Sequence, residues 1–209
     1  MSFFNGPEGT STRRTFLQLL MGMIGWLVFP MKSLARRIWP VRSVEKTPPP
    51  FDPLTWRLTV TGLVEHPASF SLDDLKKMPL THQTSDLDCV ERWSVRRLNW
   101  EGLKLKTLID QVKPLPEAQF VTFHCSGEVY SESLSMEQAM DSSVLLAFKV
   151  DDKPLPPDHG APLRLVVPSF WGYKSAKWIE RIEFSKTQHI GYWERRGYDI
   201  IGKIPAKKQ

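Results

Sequence analysis

Only two cysteines occur in 209 residues, Cys89 and Cys125, so a disulfide has one possible pairing. They form no C-x-x-C pair, and no H-E-x-x-H helix or other zinc spacing accompanies them, which argues against a zinc site. Neither a P-loop nor a G-x-G-x-x-G after a strand is present, so no nucleotide cradle is expected. A G-x-S-x-G nucleophile elbow is missing too, which argues against a common hydrolase. Internal repeats and low-complexity segments are absent. The net charge of +5 is modest, and part of it is terminal: Arg13, Arg14 and Lys32 face Glu8 alone, and the chain ends in "AKKQ". Without a basic helix or an aromatic-basic ladder, no nucleic-acid partner is expected.

Tryptophan and proline are abundant instead, with 8 and 17 copies. Proline is excluded from helix interiors and central strands, so this composition points to a β-rich or mixed fold with many fixed turns. A hydrophobic content of 41% in 209 residues suits one well-buried domain with little left over. The N-terminus reads "TRRTFLQ" (12–18) and then "LLMGMIGWLVFP", close to a twin-arginine export pattern with Gln18 where lysine is usual. The uncharged stretch 15–31 is short of the ~20 residues that span a bilayer and resembles a signal h-region. "SLA" (33–35) offers a cleavage site; an uncleaved anchor flanked by Arg36 and Arg37 is the alternative. Either reading puts the protein outside the cytoplasm, in the periplasm or an equivalent space, exported folded by the twin-arginine route. Export also permits a Cys89–Cys125 disulfide.

Residues 1–35 are thus read as signal or anchor, 36–50 (ending "TPPP") as a stiff linker, 51–200 as one α+β domain, and 201–209 as a basic tail. "WRLTVTGLV" (56–64) alternates as a strand. Ser71 with Asp74, and Ser135 with Gln138, mark the starts of two short helices by capping-box spacing. Leu103, Leu105, Leu108, Ile109 and Val112 suit an amphipathic helix after a turn at Gly102. Residues 119–125 and 162–168 read as strands, "SVLLAFKVDDKPL" as a strand entering a turn at Asp151–Asp152, and "KWIERIEFS" closes the regular structure.

The run "HGAPLRLVVPSFWGYKSAKWIERIEF" (159–184) is an anion-site candidate. Gly160 and Gly172 permit close backbone approach, Arg164 can fork onto a phosphate or a heterocycle edge, Lys174 and Lys177 add charge, and Ser175 adds a hydroxyl. A buried strand followed by a basic surface turn is the alternative. In "SDLDCVERWSV" (85–95), Cys89 reads equally as a packed thiol, half of a disulfide, or a soft-metal ligand.

Five blocks together resemble the molybdopterin-binding domain of the sulfite oxidase superfamily: "FDPLTWRLTVTGLV", "DCVERWSV", "VYSESLS", "HGAPLRLVVP" with "WGYKSAKWIERIEF", and "GYWERRGYD" (191–199). They cover almost all of 51–200 in the family's order. The resemblance implies a single domain of mixed β-sheets with short helices and a mononuclear molybdenum held by a pyranopterin and one thiolate. It places Cys89 at the metal-ligand position, Tyr130 beside the metal, His159 and Arg164 against the pterin, and Ser175 and Lys177, with neighbouring Lys174, around the phosphate. His124 and Cys125 lie on the segment expected near the cofactor. Arg92 departs from the family's usual small residue, and "CSGEVY" (125–130) lacks an aspartate often found there. The implied activity is oxygen-atom transfer, as sulfoxide reduction or sulfite oxidation, on a small or protein-bound substrate. Electrons would pass singly to or from a haem or cytochrome partner, which could itself be membrane-bound. No haem domain and no C-terminal dimerisation domain are expected. Sulfite would need cations such as Arg92, Arg96 and Arg97 near the metal; a sulfoxide would need an apolar pocket, for which Trp93 and Trp171 are candidates. A cofactor-binding subunit without turnover, and a metal-free exported binding module, are the alternatives.

Overall fold

The computed structural model describes Met1 and residues 39–205. Residues 2–38, which hold nearly all of the expected signal or anchor, and residues 206–209 of the expected basic tail lie outside the described residues. Among the described residues no helix is long and apolar enough to cross a membrane.

Two five-stranded sheets carry the α+β architecture. The first runs β2 (Ala68–Ser71), β1 (Arg57–Gly62), β10 (Ile179–Ser185), β5 (Phe120–Cys125) and β6 (Ser131–Ser135). All its neighbours are antiparallel except β1 and β10, which pair in parallel. In the second sheet, β3 (Leu80–Asp88), β4 (Ser94–Lys104), β7 (Leu145–Val150) and β8 (Lys153–Pro154) follow in order, and β9 (Arg164–Val166) also pairs with β7. Three short helices, α1 (Leu72–Lys77), α2 (Leu105–Val112) and α3 (Met136–Ala139), complete the domain.

Period-two alternation decides what each face buries. On β7, Leu146 and Phe148 enter a core cluster shared by both sheets, while Leu145, Ala147 and Val150 enter a second cluster with Val95, Leu98 and Trp100. The second sheet is therefore covered on both faces, which explains why "LLAF" shows no polar alternation. Both capping boxes form: Ser71 exchanges hydrogen bonds with Asp74, and Ser135 with Gln138. The turn at Asp151–Asp152 is present, with φ of 49° and 61°.

One expected boundary is different. No turn occurs at Gly102; β4 runs through it to Lys104, and α2 begins only at Leu105. Gly102 pairs with Ala147, and a Cβ there would lie 2.2 Å from the Leu146 carbonyl oxygen. The glycine serves close strand approach rather than chain reversal. Two segment readings also change in substance. Residues 39–45 of the expected linker pack on the domain, with Trp39 against the second cluster and edge-on to Trp100 at 5.7 Å. In the tail, Gly202 accepts from Trp171 N–H at 2.8 Å and Ile204 N–H donates to Ser169 O at 3.0 Å.

Substituting Gly102→Ala forces the β4 and β7 backbones apart. We expect a loss of roughly 1–3 kcal/mol in unfolding free energy, seen as a lower urea midpoint with an unchanged slope.

Candidate cofactor site

Cys89 sits in the five-residue connection between β3 and β4. Its N–H donates to Trp93 O at 2.9 Å and its carbonyl accepts Arg92 N–H at 3.1 Å. Arg92 closes this turn in the left-handed region at φ 66°, exposed to solvent. The base of the hairpin is pinned by a hydrogen bond between Ser94 and Asp88 and by Arg96, which pairs with Asp86 at 2.6 Å and Asp88 at 3.4 Å. Glu91 ties the loop to the 39–45 segment, accepting from Arg42 Nε at 2.6 Å and from Trp93 Nε1 at 3.1 Å. Cys89 and Cys125 are both free thiols, so the expected alternative of a disulfide is absent. Burial pushes the half-buried Cys89 thiol above its ordinary pKa. Cys125 lies buried on β5 in the core and is pushed far higher by the same cause.

Cys89 opens onto a cavity of about 360 Å³, within the range of roughly 300–1,000 Å³ typical of small-molecule sites. Of the residues singled out from sequence, Tyr130, His159, Arg164, Ser175 and Lys177 line the same cavity. Segments distant in the chain supply the other walls: residues 39–45, Trp193 and Tyr198.

Arg164 lies at the back of this cavity. It is 3% exposed, and its guanidinium donates to the carbonyls of His159 at 2.8 Å and Ser175 at 3.3 Å. It also lies 5.5 Å from the Trp39 ring and 5.3 Å from the Trp100 ring. Among the described residues no carboxylate pairs with it. Burial lowers its pKa to about 10, which leaves it charged at neutral pH. Lys177 is similar: Nζ donates to Asp158 O at 3.0 Å and lies 4.1 Å from the Trp178 ring, with no ion-pair partner among the described residues. Burial first, and then Arg164, lowers its pKa to about 8. Gly160 lets the two cations converge. It adopts φ 109°, and a Cβ there would meet Arg164 Cβ at 2.9 Å and Lys177 Cβ at 3.2 Å.

His159 stacks on Trp39 at 3.8 Å with 14° between planes. Burial, followed by Arg164 and Lys177, holds its pKa down at about 4, so the imidazole is neutral at pH 7. Ser175 Oγ accepts from Val167 N–H at 3.1 Å, which leaves its hydroxyl proton free to donate. Tyr130 donates its hydroxyl to Tyr173 O at 2.6 Å, and burial raises its pKa well above normal.

Lys174 is placed elsewhere. It is completely buried, its ammonium held by Glu132 and Glu194 at 2.7 Å each, and it is not among the cavity-lining residues. Arg92, Arg96, Arg97 and Trp171 do not line the cavity either, whereas Trp93 does. His124 faces Glu183 at 2.9 Å on the first sheet, outside the cavity. Sequence reasoning missed the 39–45 wall, whose signal was Trp39 and the charged residues after it in a segment otherwise read as spacer.

The donor set fits an anionic organic cofactor with a soft metal. A buried guanidinium and a half-buried ammonium form no ion pair among the described residues, a neutral imidazole is stacked beside them, and a free thiol faces the same space. Fold and site together define a cofactor-binding oxidoreductase domain. Residues 45–193 match the oxidoreductase molybdopterin binding domain model, and the chain belongs to that family, of sulfite oxidase type. It is 35% identical over 164 residues to the uncharacterized oxidoreductase YuiH of Bacillus subtilis (strain 168), covering 78% of this chain and 82% of that protein. Protein-methionine-sulfoxide reductase catalytic subunits MsrP are also similar. The one from Campylobacter jejuni is 37% identical over 160 residues, and the one from Ralstonia nicotianae 38% over 156. These matches cover 69% and 68% of this chain but only 54% and 47% of those proteins. The sulfane dehydrogenase SoxCD from Paracoccus pantotrophus shares the fold, with a TM-score of 0.66 at 24% identity over 75% of this chain and 46% of that one.

The depressed His159 pKa has a sign. The unfolded chain takes up a proton near pH 6.5 that the folded site refuses until about pH 4. Stability from this residue is therefore full above pH 6.5 and lost as pH falls through 4. NMR titration of the His159 ring should give a midpoint near 4, and the urea midpoint of wild type should fall on acidification more than that of His159→Gln.

Proposed function

We propose that this chain is an exported molybdenum-pterin oxidoreductase that takes an oxygen atom from a neutral sulfoxide, small or protein-bound, with electrons delivered singly by a haem partner. One observation carries the reading: a free, half-buried thiol faces the same cavity as the buried Arg164 and the half-buried Lys177, neither of which forms an ion pair among the described residues. When bound, the cofactor supplies two-electron oxygen-atom transfer, chemistry that no side chain offers.

The chain's own residues bind and orient. Cys89 provides the protein thiolate; burial keeps it protonated in the free site, so metal capture expels that proton. Arg164 and Lys177 neutralise the cofactor's phosphate, and an anion beside Lys177 restores its full charge. The neutral His159 ring presents a donor and an acceptor to a heterocycle edge while Trp39 fixes its plane. Ser175 adds a hydroxyl donor. Tyr130 must release the Tyr173 carbonyl before it can donate to a substrate oxygen.

Direction and substrate rest on what surrounds the thiol. Sulfite is a dianion at neutral pH and needs cations beside the metal. Arg92, Arg96 and Arg97 do not line the cavity, Arg96 is committed to Asp86 and Asp88, and Arg42, which does line it, is paired with Glu91. Trp93, Trp193 and Tyr198 instead offer aromatic walls, which suit a neutral, partly apolar substrate. The names of the two sulfoxide reductase relatives favour the same choice. Export follows from the paired arginines Arg13 and Arg14 before an apolar run.

Protein from a host that makes molybdopterin should carry about one molybdenum per chain by elemental analysis, a stoichiometry set by the one cavity-facing thiol. Cys89→Ser should lose it while remaining folded by circular dichroism. Equal metal content in the two proteins would overturn the reading. For loaded enzyme, the KM for a neutral sulfoxide should change less than about twofold between ~0.05 and ~0.5 M salt, since only an anionic substrate is steered by screened charges.

A further inference from the structure

The buried cluster around Lys174 has one ammonium and two carboxyl groups. Lys174 Nζ contacts Glu132 Oε1 and Glu194 Oε1 at 2.7 Å each and the Ser133 carbonyl at 3.2 Å. The three side chains are 1%, 0% and 3% exposed. Glu132 Oε1 additionally accepts Ser133 N–H at 2.7 Å. The two remaining oxygens, Glu132 Oε2 and Glu194 Oε2, are buried without partners. The two carboxyl groups meet on the same ammonium, yet two carboxylates offer only acceptors. One proton between them supplies the missing donor and cancels the excess charge, leaving one ammonium against one carboxylate.

Three pieces of the cavity wall meet at this cluster. Glu132 belongs to β6, which follows Tyr130 directly. Lys174 ends the Gly172–Lys174 turn, whose Gly172 and Tyr173 line the cavity. Glu194 starts the Glu194–Arg196 turn, set between Trp193 and Tyr198, which also line it. Among the described residues one backbone hydrogen bond joins the 191–198 stretch to β6, Tyr192 N–H to Ser131 O at 3.2 Å, and its other backbone hydrogen bonds are internal. Gly191 makes room for the inward carboxyl, since a Cβ there would lie 2.3 Å from Glu194 Oε2 and 2.9 Å from Ser131 O.

We propose that a single proton shared by Glu132 and Glu194 latches the 191–198 stretch to β6, and that losing it frees the wall carrying Trp193 and Tyr198. Glu194 is thus a positioning residue for the cavity, and the latch is independent of which cofactor or substrate the cavity takes. With the proton gone, two carboxylates face one ammonium in a site without water access, and the cheapest relief is for the Glu194 turn to swing out to solvent.

The neighbouring titratable groups do not supply this step. Glu132 is faced by Lys174 and Glu194, by the Tyr130 and Tyr173 hydroxyls and by the Cys125 thiol; His189 approaches from the Glu194 side and Asp199 lies beyond Tyr173. Burial raises both tyrosines and Cys125, while it lowers His189, which is already neutral in alkali. Burial first, opposed by Lys174 and reinforced by Glu194, raises the Glu132 carboxyl to about 8. A raised carboxyl holds in the folded state a proton that the unfolded chain has lost. Its contribution to stability is therefore full below the ordinary carboxyl range and gone once pH passes about 8.

Two measurements on the purified full-length chain test the latch. Infrared spectra of protein labelled with 13C-carboxyl glutamate should show one buried protonated carboxyl at neutral pH, absent from Glu132→Gln. Hydrogen exchange corrected for intrinsic rates should show amides of 191–198 losing at least tenfold protection as pH rises through about 8. Glu132→Gln keeps a permanent donor, so it should retain that protection. The proposal fails if neutral wild type has no protonated carboxyl, a result that needs no variant. It also fails if wild type and Glu132→Gln lose protection at the same pH, which would assign the opening to Lys177, the other group titrating near there.

Discussion

A buried guanidinium with no carboxylate partner among the described residues is the constraint around which the domain is arranged. Arg164 lies where the sheets are sewn together: β9 pairs with β7, while Leu165 N–H reaches Ala176 O at 2.8 Å and Ile179 N–H reaches Leu163 O at 3.1 Å. Desolvating such a charge is costly. The fold offsets part of that cost with carbonyl acceptors from His159 and Ser175 and with the Trp39 and Trp100 rings. The remaining charge, shared with Lys177, is what suits the cavity to the anionic cofactor of the proposed function. Gly160 fits the same arrangement, because the Cβ atoms of Arg164 and Lys177 lie closer to it than a side chain at that position would permit.

The same short stretch of chain holds the opposite solution. Lys174 is equally buried but neutralised internally by Glu132 and Glu194. One lysine braces the wall and the other faces the cavity, although only two residues lie between them in "KSAK". The brace links β6 to turns at 172–174 and 194–196, so the thiol, the aromatic walls and the anion site are held against each other by a buried charge balance. Rigidity of the cavity and the sensitivity of its wall to one proton have the same origin. In a medium of low dielectric, compensated charges bind strongly and uncompensated ones repel strongly.

Much of this was legible in the sequence for identifiable reasons. Alternation found β1, apolar and β-branched runs found β5 and β7, and the spacing of serine to a side-chain acceptor three residues on found both capping boxes, because those signals are local. Cys89, Tyr130, His159, Arg164, Ser175 and Lys177 reach one cavity, as the family resemblance implied. Gly102 was misread because a glycine needed for close strand approach and one needed for a turn look alike until the partner strand is known. Residues 39–45 read as spacer because prolines mark extended chain, and extended chain can equally lie along a wall. Lys174 was grouped with Lys177 because residue type reports charge and not its neutralisation.

By itself, then, the sequence determined the strand pattern, the caps, the family and the chemistry available to the site, since each depends on residue type and near neighbours. Tertiary structure alone decided which cation stays unpaired, that both thiols stay free, and that Arg92 turns outward at φ 66° while Arg96 is tied to its own hairpin. Those outcomes depend on burial and on partners 20 to 60 residues or more away, such as Glu132 for Lys174 and Trp39 for His159. Electrostatic free energy is set by surroundings rather than by identity, and surroundings exist only once the chain has folded.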